Sequence, residues 1–287
     1  MNPTRPAAPG PGPGEERDTT EPLPELGGLS VAALRELLAS TRDEAETRRL
    51  CAALAADPRA GARALATRAL RRVERERAEA KRMRGLFERR ARLVEAGARF
   101  VAGVDEVGVG PLAGPVVAAA VVLPEVVDLP GLNDSKKLKR EVREQLAASI
   151  REQAIGVGIG VVSADEIDRR GILNASLEAM RRAVLQLTDG VPVDHVLVDA
   201  RTIPGIDLPQ TPLIHGDAID ASIAAASIVA KVYRDRIMRE YDAAHPGYGF
   251  ARHMGYGTAE HVGALERIGA SPIHRRSFAP VAAVLRS

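Results

Sequence analysis

Two adjacent acids interrupt an apolar stretch in the first half of the chain. Asp105 and Glu106 follow an apolar run that begins at Phe100, and a turn rich in glycine and proline comes directly after them. Charged side chains are rarely buried unless they are paired or bind a metal ion. The pair therefore indicates either the exposed end of a strand or a cation site.

Two further acids occupy similar positions. Asp199 ends the apolar run that begins at His195, and α/β proteins commonly place site residues at such strand ends. Asp217 is predicted to start a long, mostly buried helix that extends to Asp242, where its role could be limited to capping. Together, these carboxylate positions at the ends of elements of one sheet are typical of a site for hard divalent cations, which prefer oxygen ligands.

A dinucleotide-binding loop is the alternative interpretation of the segment after the acid pair. Gly108, Gly110 and Ala113 have the spacing of the G-x-G-x-x-A fingerprint. That motif requires a helix after the loop, whereas Pro115 and the apolar run 116–122 predict a strand. The two preceding acids would also repel a pyrophosphate. We therefore favour the cation site.

The elements that must position these acids lie in residues 99–287. Short, β-branched apolar runs alternate with helical stretches, which indicates an α/β domain with a mixed sheet. Ser163 and Glu166 form a capping-box pair that opens one helix, and Asn174 is predicted to cap the next, which extends to about Leu187. The predicted strands are Phe100–Val104, Pro115–Leu123, Ile155–Val162 and His195–Val198.

The N-terminal third has a different character. Residues 1–28 carry seven prolines and little that can be buried, so we predict a disordered tail. Residues 29–98 are predicted to form a helical extension, with Ser30 capping its first helix. A second helix follows, and Asp57-Pro58 predicts the start of a third that reaches Ala96 unless Gly85 breaks it.

The third helix is strongly basic. Between Arg59 and Arg92 there are thirteen Arg or Lys residues against four Glu. Such a stretch is either a solvated helix surface or a face that contacts phosphates. The choice depends on what the following domain does.

Composition limits the class of protein. The single cysteine, Cys51, excludes an intrachain disulfide and a cysteine-based zinc site, and indicates a reducing compartment. No apolar run approaches the ~18–20 residues of a membrane span, and no signal-peptide pattern opens the chain. We expect a cytoplasmic monomer without a membrane partner.

Several ordered motifs between Arg99 and about Val281 resemble the ribonuclease HII family. The segment Asp105-Glu-Val-Gly-Val-Gly-Pro-Leu-Ala-Gly-Pro115 is similar to the family signature, and Asn133-Asp-Ser-Lys-Lys-Leu138 to its second motif. The remaining similar segments are Val198-Asp-Ala200, Gly216-Asp217, Ala225-Ala-Ser-Ile-Val-Ala-Lys-Val-Tyr-Arg-Asp235, His245-Pro-Gly-Tyr-Gly-Phe250 and His253-Met-Gly-Tyr-Gly-Thr258.

The resemblance implies a ribonuclease H-like fold and a metal-dependent endonuclease. Its substrates would be RNA/DNA hybrids and duplex DNA with embedded ribonucleotides, cut on the 5′ side to leave 3′-hydroxyl and 5′-phosphate ends. The catalytic residues implied are Asp105, Glu106, Asp199 and Asp217, which would hold two Mg²⁺ or Mn²⁺ ions. A nuclease domain also favours the phosphate-facing interpretation of the basic helix.

The resemblance further implies a set of substrate-binding residues. Tyr256 would pack on the nucleotide at the RNA–DNA junction and help to sense its 2′-hydroxyl, the group that separates RNA from DNA. Ser227 and Lys231, one helical turn apart, would face one phosphate. The others implied are Gly108, Val109, Gly110, Lys136 and Lys137.

Three positions depart from the family pattern. Val109 stands where the family usually has Arg, Met254 where many members have Lys, and Ala200 where Gly is frequent. The loss of the arginine leaves a second hypothesis open, a catalytically weakened nucleic-acid-binding protein on the same fold. Retention of all four acids favours the enzyme, because a pure binder gains nothing from carboxylates that face phosphates.

Overall fold

The computed structural model describes residues 23–286, which divide into two compact units between Arg82 and Met83. Most of the predicted disordered tail, residues 1–22, lies outside the described residues. Its last part, residues 23–28, contains a short 3-10 helix at Leu26–Gly28. Within the described range, no helix is both long enough and apolar enough to cross a bilayer.

The first unit is built from three helices. They are α1 (Val31–Ser40), α2 (Glu44–Ala55) and the beginning of α3 (Ala60–Glu95). The Ser30 side chain accepts the Ala33 N–H, as predicted, and α3 passes through Gly85 without a break. Helix α3 begins at Ala60, two residues later than predicted, and the Asp57 carboxylate accepts the backbone N–H of Arg59 just before it.

The second unit contains a five-stranded mixed sheet in the order β3-β2-β1-β4-β5. Strand β1 pairs antiparallel with β2 and parallel with β4, β2 pairs antiparallel with β3, and β4 pairs parallel with β5. The four predicted strands are confirmed, and the fifth was missed because it is short and half-exposed. The strands are β1 (Val101–Val107), β2 (Val116–Val122), β3 (Gly156–Val162), β4 (His195–Asp199) and β5 (Gln210–Leu213).

Helices cover both faces of this sheet, which confirms the predicted α/β class. The helices that follow α3 in the chain are α4 (Arg140–Gln153), α5 (Ala164–Arg170), α6 (Ile172–Thr188), α7 (Gly216–Ile219), α8 (Ala221–Ala244), α9 (Phe250–His253), α10 (Ala259–Ile268) and α11 (Ala279–Val284). Helix α6 packs on one face and α8 on the other. At Gly103 in β1, an added Cβ would lie 2.1 Å from the Ser222 backbone, so only glycine permits this close approach of α8.

In the second unit, two of the predicted helix starts are wrong, and one is confirmed. Ser163 and Glu166 form the predicted capping box. Asn174 lies inside α6 instead of capping it, because Gly171, with a φ of 75°, turns the chain directly from α5 into α6. Asp217 does not start the long helix: it lies in the one-turn helix α7, and Asp220 caps α8 by accepting the N–H groups of Ser222 and Ile223.

Candidate active site

Three of the four predicted catalytic acids meet at one edge of the sheet. Val104 is the register partner of Val198, so Asp105 and Asp199 follow at the same level of two parallel strands. Asp199 is in turn the register partner of Leu213 at the end of β5, and Asp217 comes four residues later. Because parallel strands share a direction, their carboxyl ends bring these three residues together.

Asp105 and Glu106 project toward opposite faces of the sheet. Successive strand residues alternate between faces, and here Asp105 is directed toward Ser227 on α8, whereas Glu106 is directed toward Ser176 on α6. Asp105 is buried, and Glu106 is half-buried. The acids therefore surround the edge of the sheet from both sides.

Burial and mutual repulsion disturb the protonation of these acids. Burial, followed by the charge of Glu106, raises the pKa of Asp105 well above its ordinary value, and the Ser227 hydroxyl opposes the shift. Burial also raises the pKa of Glu106. The pKa of Asp217 is raised by burial and by Asp134. An added positive charge would thus stabilise the ionised site.

The donor set fits a hard divalent cation. All four side chains offer carboxylate oxygens, and Oε2 of Glu106 is buried with no hydrogen-bond partner. One oxygen of Asp199 accepts the Gly216 N–H at 2.7 Å, which orients the carboxylate. Among residues 23–286, no three or more acids, histidines or cysteines already form a metal cage.

The segment 133–138 approaches the acids from the α8 side. The Ser135 hydroxyl lies 2.9 Å from that of Ser227, which ties this segment to the helix. Burial lowers the pKa of Lys136, but the charges of Asp217 and Asp105 outweigh this and raise it overall. The positive charge of Lys136 therefore partly balances the negative charge of the acids. Asp134 also acts electrostatically on Asp217 and Lys136, although no sequence pattern singled it out.

Other predicted phosphate-binding residues have protein partners in this structure. Lys137 is exposed and lies 4.0 Å from Asp134. Lys231 donates to Asp235 at 2.6 Å, and burial lowers its pKa. Ser227 is buried against Ser135. The prediction that Ser227 and Lys231 share one phosphate is not tested by this geometry.

The glycine-rich turn and Tyr256 form an exposed surface beside the acids. Val109 is 40% exposed and Tyr256 is 44% exposed, and a Cβ on Gly110 would lie 3.7 Å from the Tyr256 ring. Gly108 has a φ of 92°, and a Cβ there would lie 2.3 Å from Nε of Arg234. Position 108 thus requires glycine. The turn also lies next to Tyr256, which is the arrangement needed for both to contact one substrate.

Two buried arginines were not anticipated. Arg234 on α8 and Arg275 in the loop after α10 are both fully buried. Arg234 donates to the carbonyls of Ala113, Pro115 and Met254, which connects the turn to the loop that carries Tyr256. No local sequence signal marked either arginine, because Arg234 lies among other charged residues of α8 and Arg275 lies in a loop.

Comparisons with known proteins agree with this geometry. The family model "Ribonuclease HII" matches residues 102–281, and the model "Ribonuclease HII N-terminal domain" matches residues 30–91. The chain is 51% identical over 257 residues to ribonuclease HII of an Anaeromyxobacter species, covering 90% of this chain and 81% of the relative. It is 53% identical over 231 residues to that of Geobacillus kaustophilus, covering 80% and 88%.

Solved structures show the same fold over the catalytic unit. Ribonuclease H2 from Pyrococcus horikoshii matches with a TM-score of 0.55 and 27% identity, covering 66% of this chain and 98% of that one. Ribonuclease HII from Archaeoglobus fulgidus, solved in a complex with PCNA, matches with a TM-score of 0.53 and 25% identity, covering 63% and 95%. Given the extent of these matches and the family models, the chain belongs to the ribonuclease HII family.

Proposed function

We propose that this ribonuclease H-type endonuclease hydrolyses the RNA strand of RNA/DNA hybrids and incises duplex DNA 5′ of embedded ribonucleotides. Cleavage leaves 3′-hydroxyl and 5′-phosphate ends, and the activity serves genome maintenance during DNA replication and repair. The observation that carries the proposal is the gathering of Asp105, Asp199 and Asp217 at one sheet edge, beside the buried, unpartnered Oε2 of Glu106.

The four carboxylates Asp105, Glu106, Asp199 and Asp217 would hold two divalent ions, Mg²⁺ or Mn²⁺. Such ions, when bound, activate the attacking water and stabilise the leaving 3′-oxygen. The chain's own contribution is to place carboxylates close together at a buried position, where a bound cation would stabilise their ionised forms. The N–H of Gly216 holds Asp199 in a fixed orientation for this role.

Substrate recognition is assigned to the surface next to the acids. The turn Gly108-Val109-Gly110 and Tyr256 would contact the ribonucleotide at the junction, and its 2′-hydroxyl distinguishes it from DNA. Lys136 carries a positive charge beside the acids, so it is placed to meet a backbone phosphate. Lys137, Ser227 and Lys231 are assigned to further phosphates on the family resemblance alone.

The basic helix α3 is proposed to add non-specific affinity for the duplex. The four glutamates between Arg59 and Arg92, at 74, 76, 79 and 88, all form ion pairs with arginines. Arg68, Arg71 and Arg75 are exposed at a spacing that places them along one side of the helix. We also retain a reducing, cytoplasmic location and a monomeric state as parts of the proposal, the former because of the single cysteine.

The test is cleavage of a matched substrate panel. Three labelled duplexes of one sequence would be compared: all DNA, DNA with a single ribonucleotide, and a full RNA/DNA hybrid. We expect no cleavage of the first, a single cut 5′ of the ribonucleotide in the second, and several cuts in the third. Ligation of the products without prior end treatment would check the end chemistry. Failure to cut either ribonucleotide-containing duplex would contradict the proposal.

A further inference from the structure

The buried guanidinium of Arg275 donates hydrogen bonds to carbonyls of the glycine-rich turn. Nη1 of Arg275 donates to the Val109 carbonyl at 2.9 Å, Nη2 donates to the Gly108 carbonyl, and Nε donates to the Gly114 carbonyl at 3.0 Å. Arg275 has no solvent exposure, whereas Val109 and Gly110 are exposed. The guanidinium and the solvent therefore lie on opposite sides of this turn.

This arrangement determines where two backbone donors point. In a trans peptide unit the C=O and N–H bonds are directed oppositely. Because the carbonyls of Gly108 and Val109 face the buried guanidinium, the N–H groups of Val109 and Gly110 face away from it. They therefore point toward the exposed side, where the Tyr256 ring adjoins Gly110.

The burial of this charge is costly and is compensated by hydrogen bonds and a contact with the Phe278 ring, 5.1 Å away, without an ion pair. Within residues 23–286, no carboxylate lies within ion-pair distance of Arg275 or of the neighbouring Arg234. Burial, followed by the charge of Arg234, lowers the pKa of Arg275 to about 9. A buried charge without an ionic partner is destabilising unless many hydrogen bonds offset it. Charge-assisted bonds to carbonyls also polarise the peptide units and strengthen their N–H groups as donors.

We propose that Arg275 is a positioning residue for 2′-hydroxyl recognition, which holds the Gly108 and Val109 carbonyls so that the next two N–H groups face the ribose. The proposal rests on the proposed function, in which this turn and Tyr256 contact the junction ribonucleotide. It accounts for a valine at 109, because the recognition elements are backbone groups that do not depend on that side chain.

Arg234 provides an internal comparison. It is buried to the same extent but binds the carbonyls of Ala113, Pro115 and Met254, none of which precedes the two exposed donors. Its loss should loosen the scaffold and affect all substrates alike. A purely structural role for Arg275 would give the same result as loss of Arg234.

The experiment measures discrimination instead of activity alone. Equilibrium dissociation constants would be measured in EDTA for a duplex with one ribonucleotide and for the same duplex in all-DNA form. In Arg275→Lys, we expect the ratio of the two constants to fall roughly tenfold, as loss of oriented hydrogen bonds predicts, with all-DNA binding changed less than about twofold. Arg234→Lys and the exposed control Arg276→Lys should keep the wild-type ratio.

Each outcome separates the two proposals. A wild-type protein that shows neither a preference for the ribonucleotide duplex nor cleavage of it would refute the proposed function. A wild-type preference that survives in folded Arg275→Lys would overturn only the role of Arg275. Circular dichroism would establish folding, and Arg275→Gln serves as a second variant. If both variants fail to fold, Arg275 is structural and its positioning role is rejected.

Discussion

Asp105 and Asp199 lie at the same level of two neighbouring parallel strands, because the residues before them, Val104 and Val198, are register partners. Both side chains lie on the face that carries Val101, Leu197 and α8. Two like charges placed side by side at a buried edge destabilise the protein until a cation neutralises them. This relationship connects the stability of the fold to its chemistry.

Asp105→Asn is therefore expected to stabilise the metal-free protein while it abolishes activity. Burial and the charge of Glu106 raise the pKa of Asp105, so its ionised form is unfavourable in the fold. The amide removes this charge, and the melting temperature in EDTA should therefore rise by at least ~2 °C. Cleavage should fall by at least about 100-fold, since a proposed ligand of the catalytic ion is lost. Asp207→Asn, at an exposed position, should change neither quantity. A lower melting temperature for Asp105→Asn would show that its charge is already compensated.

Val109→Arg should strengthen binding to duplexes through an added phosphate contact. The side chain is exposed beside Tyr256, so an arginine there can reach the backbone of a bound duplex. The slope of log affinity against log salt should steepen by about one ion, and affinity at low salt should rise. Dissociation constants at four or more salt concentrations would measure this. An unchanged slope would mean that position 109 does not face a phosphate.

Removal of the first unit should be tolerated only if the cut falls at the observed boundary. Residues after Met83 belong to the catalytic unit: Leu86 packs in its core, and Arg90 donates to the Pro124 carbonyl at 2.8 Å. We expect deletion of residues 1–82 to weaken hybrid binding while the turnover at saturating substrate is largely kept. Deletion of residues 1–98, the boundary predicted from sequence, should lower the melting temperature sharply. Equal stability of the two truncations would contradict this.

A buried histidine pair predicts loss of stability in mild acid. The Ser271 N–H donates to Nδ1 of His274, so His274 donates from Nε2 to His261 at 3.0 Å, and His261 donates to the Tyr256 carbonyl at 2.9 Å. If either imidazole ring were protonated, one of its N–H groups would face another N–H donor instead of an acceptor. Burial, followed by His261, lowers the pKa of His274 from 6.5 to about 4.

The sign follows from proton binding. Between pH 6.5 and about 4 the unfolded His274 binds more protons than the folded one, so this contribution is present above pH 6.5 and is lost as the pH falls. The free energy of unfolding should drop by roughly 2 kcal/mol from this group between pH 7 and pH 5. Urea titrations of the wild type and His274→Gln would measure the difference. Identical pH dependence in both would exclude the histidine pair as the cause.

The sequence predicted those parts of the molecule that depend on local patterns. Four strands, the capping box at Ser163 and the position of Asp199 at a strand end follow from hydrophobic runs and residue preferences, which act over short distances. The predicted end of β1 at Val104 is wrong, because the strand continues through Asp105 and Glu106 to Val107, paired with β2. Strand β5 was missed because its residues are half-exposed and include Pro212, as suits an edge strand. The start of α8 was misplaced because Asp217 and Asp220 are equally good caps by residue type, and only tertiary packing decides between them.

The supporting residues of the site could not be derived from local pattern. Arg234 and Arg275 act on carbonyls more than one hundred residues away in sequence, so no spacing rule connects them to the turn. Likewise, the contact between Ser135 and Ser227 depends on how the segment 133–138 packs against α8. Sequence motifs marked the segments 133–138 and 225–235 as notable but not the loop of Arg275, and the roles of all these residues came from the three-dimensional contacts.

The proposed function requires that the four carboxylates at this sheet edge form a metal-dependent nuclease site. The most direct measurement is incision of a duplex with one ribonucleotide by the wild type and by Asp105→Asn, each in Mg²⁺, Mn²⁺ or EDTA. We expect incision 5′ of the ribonucleotide with either metal, none in EDTA, and almost none by the variant under any condition. Incision by the wild type in EDTA, or undiminished incision by Asp105→Asn, would contradict it.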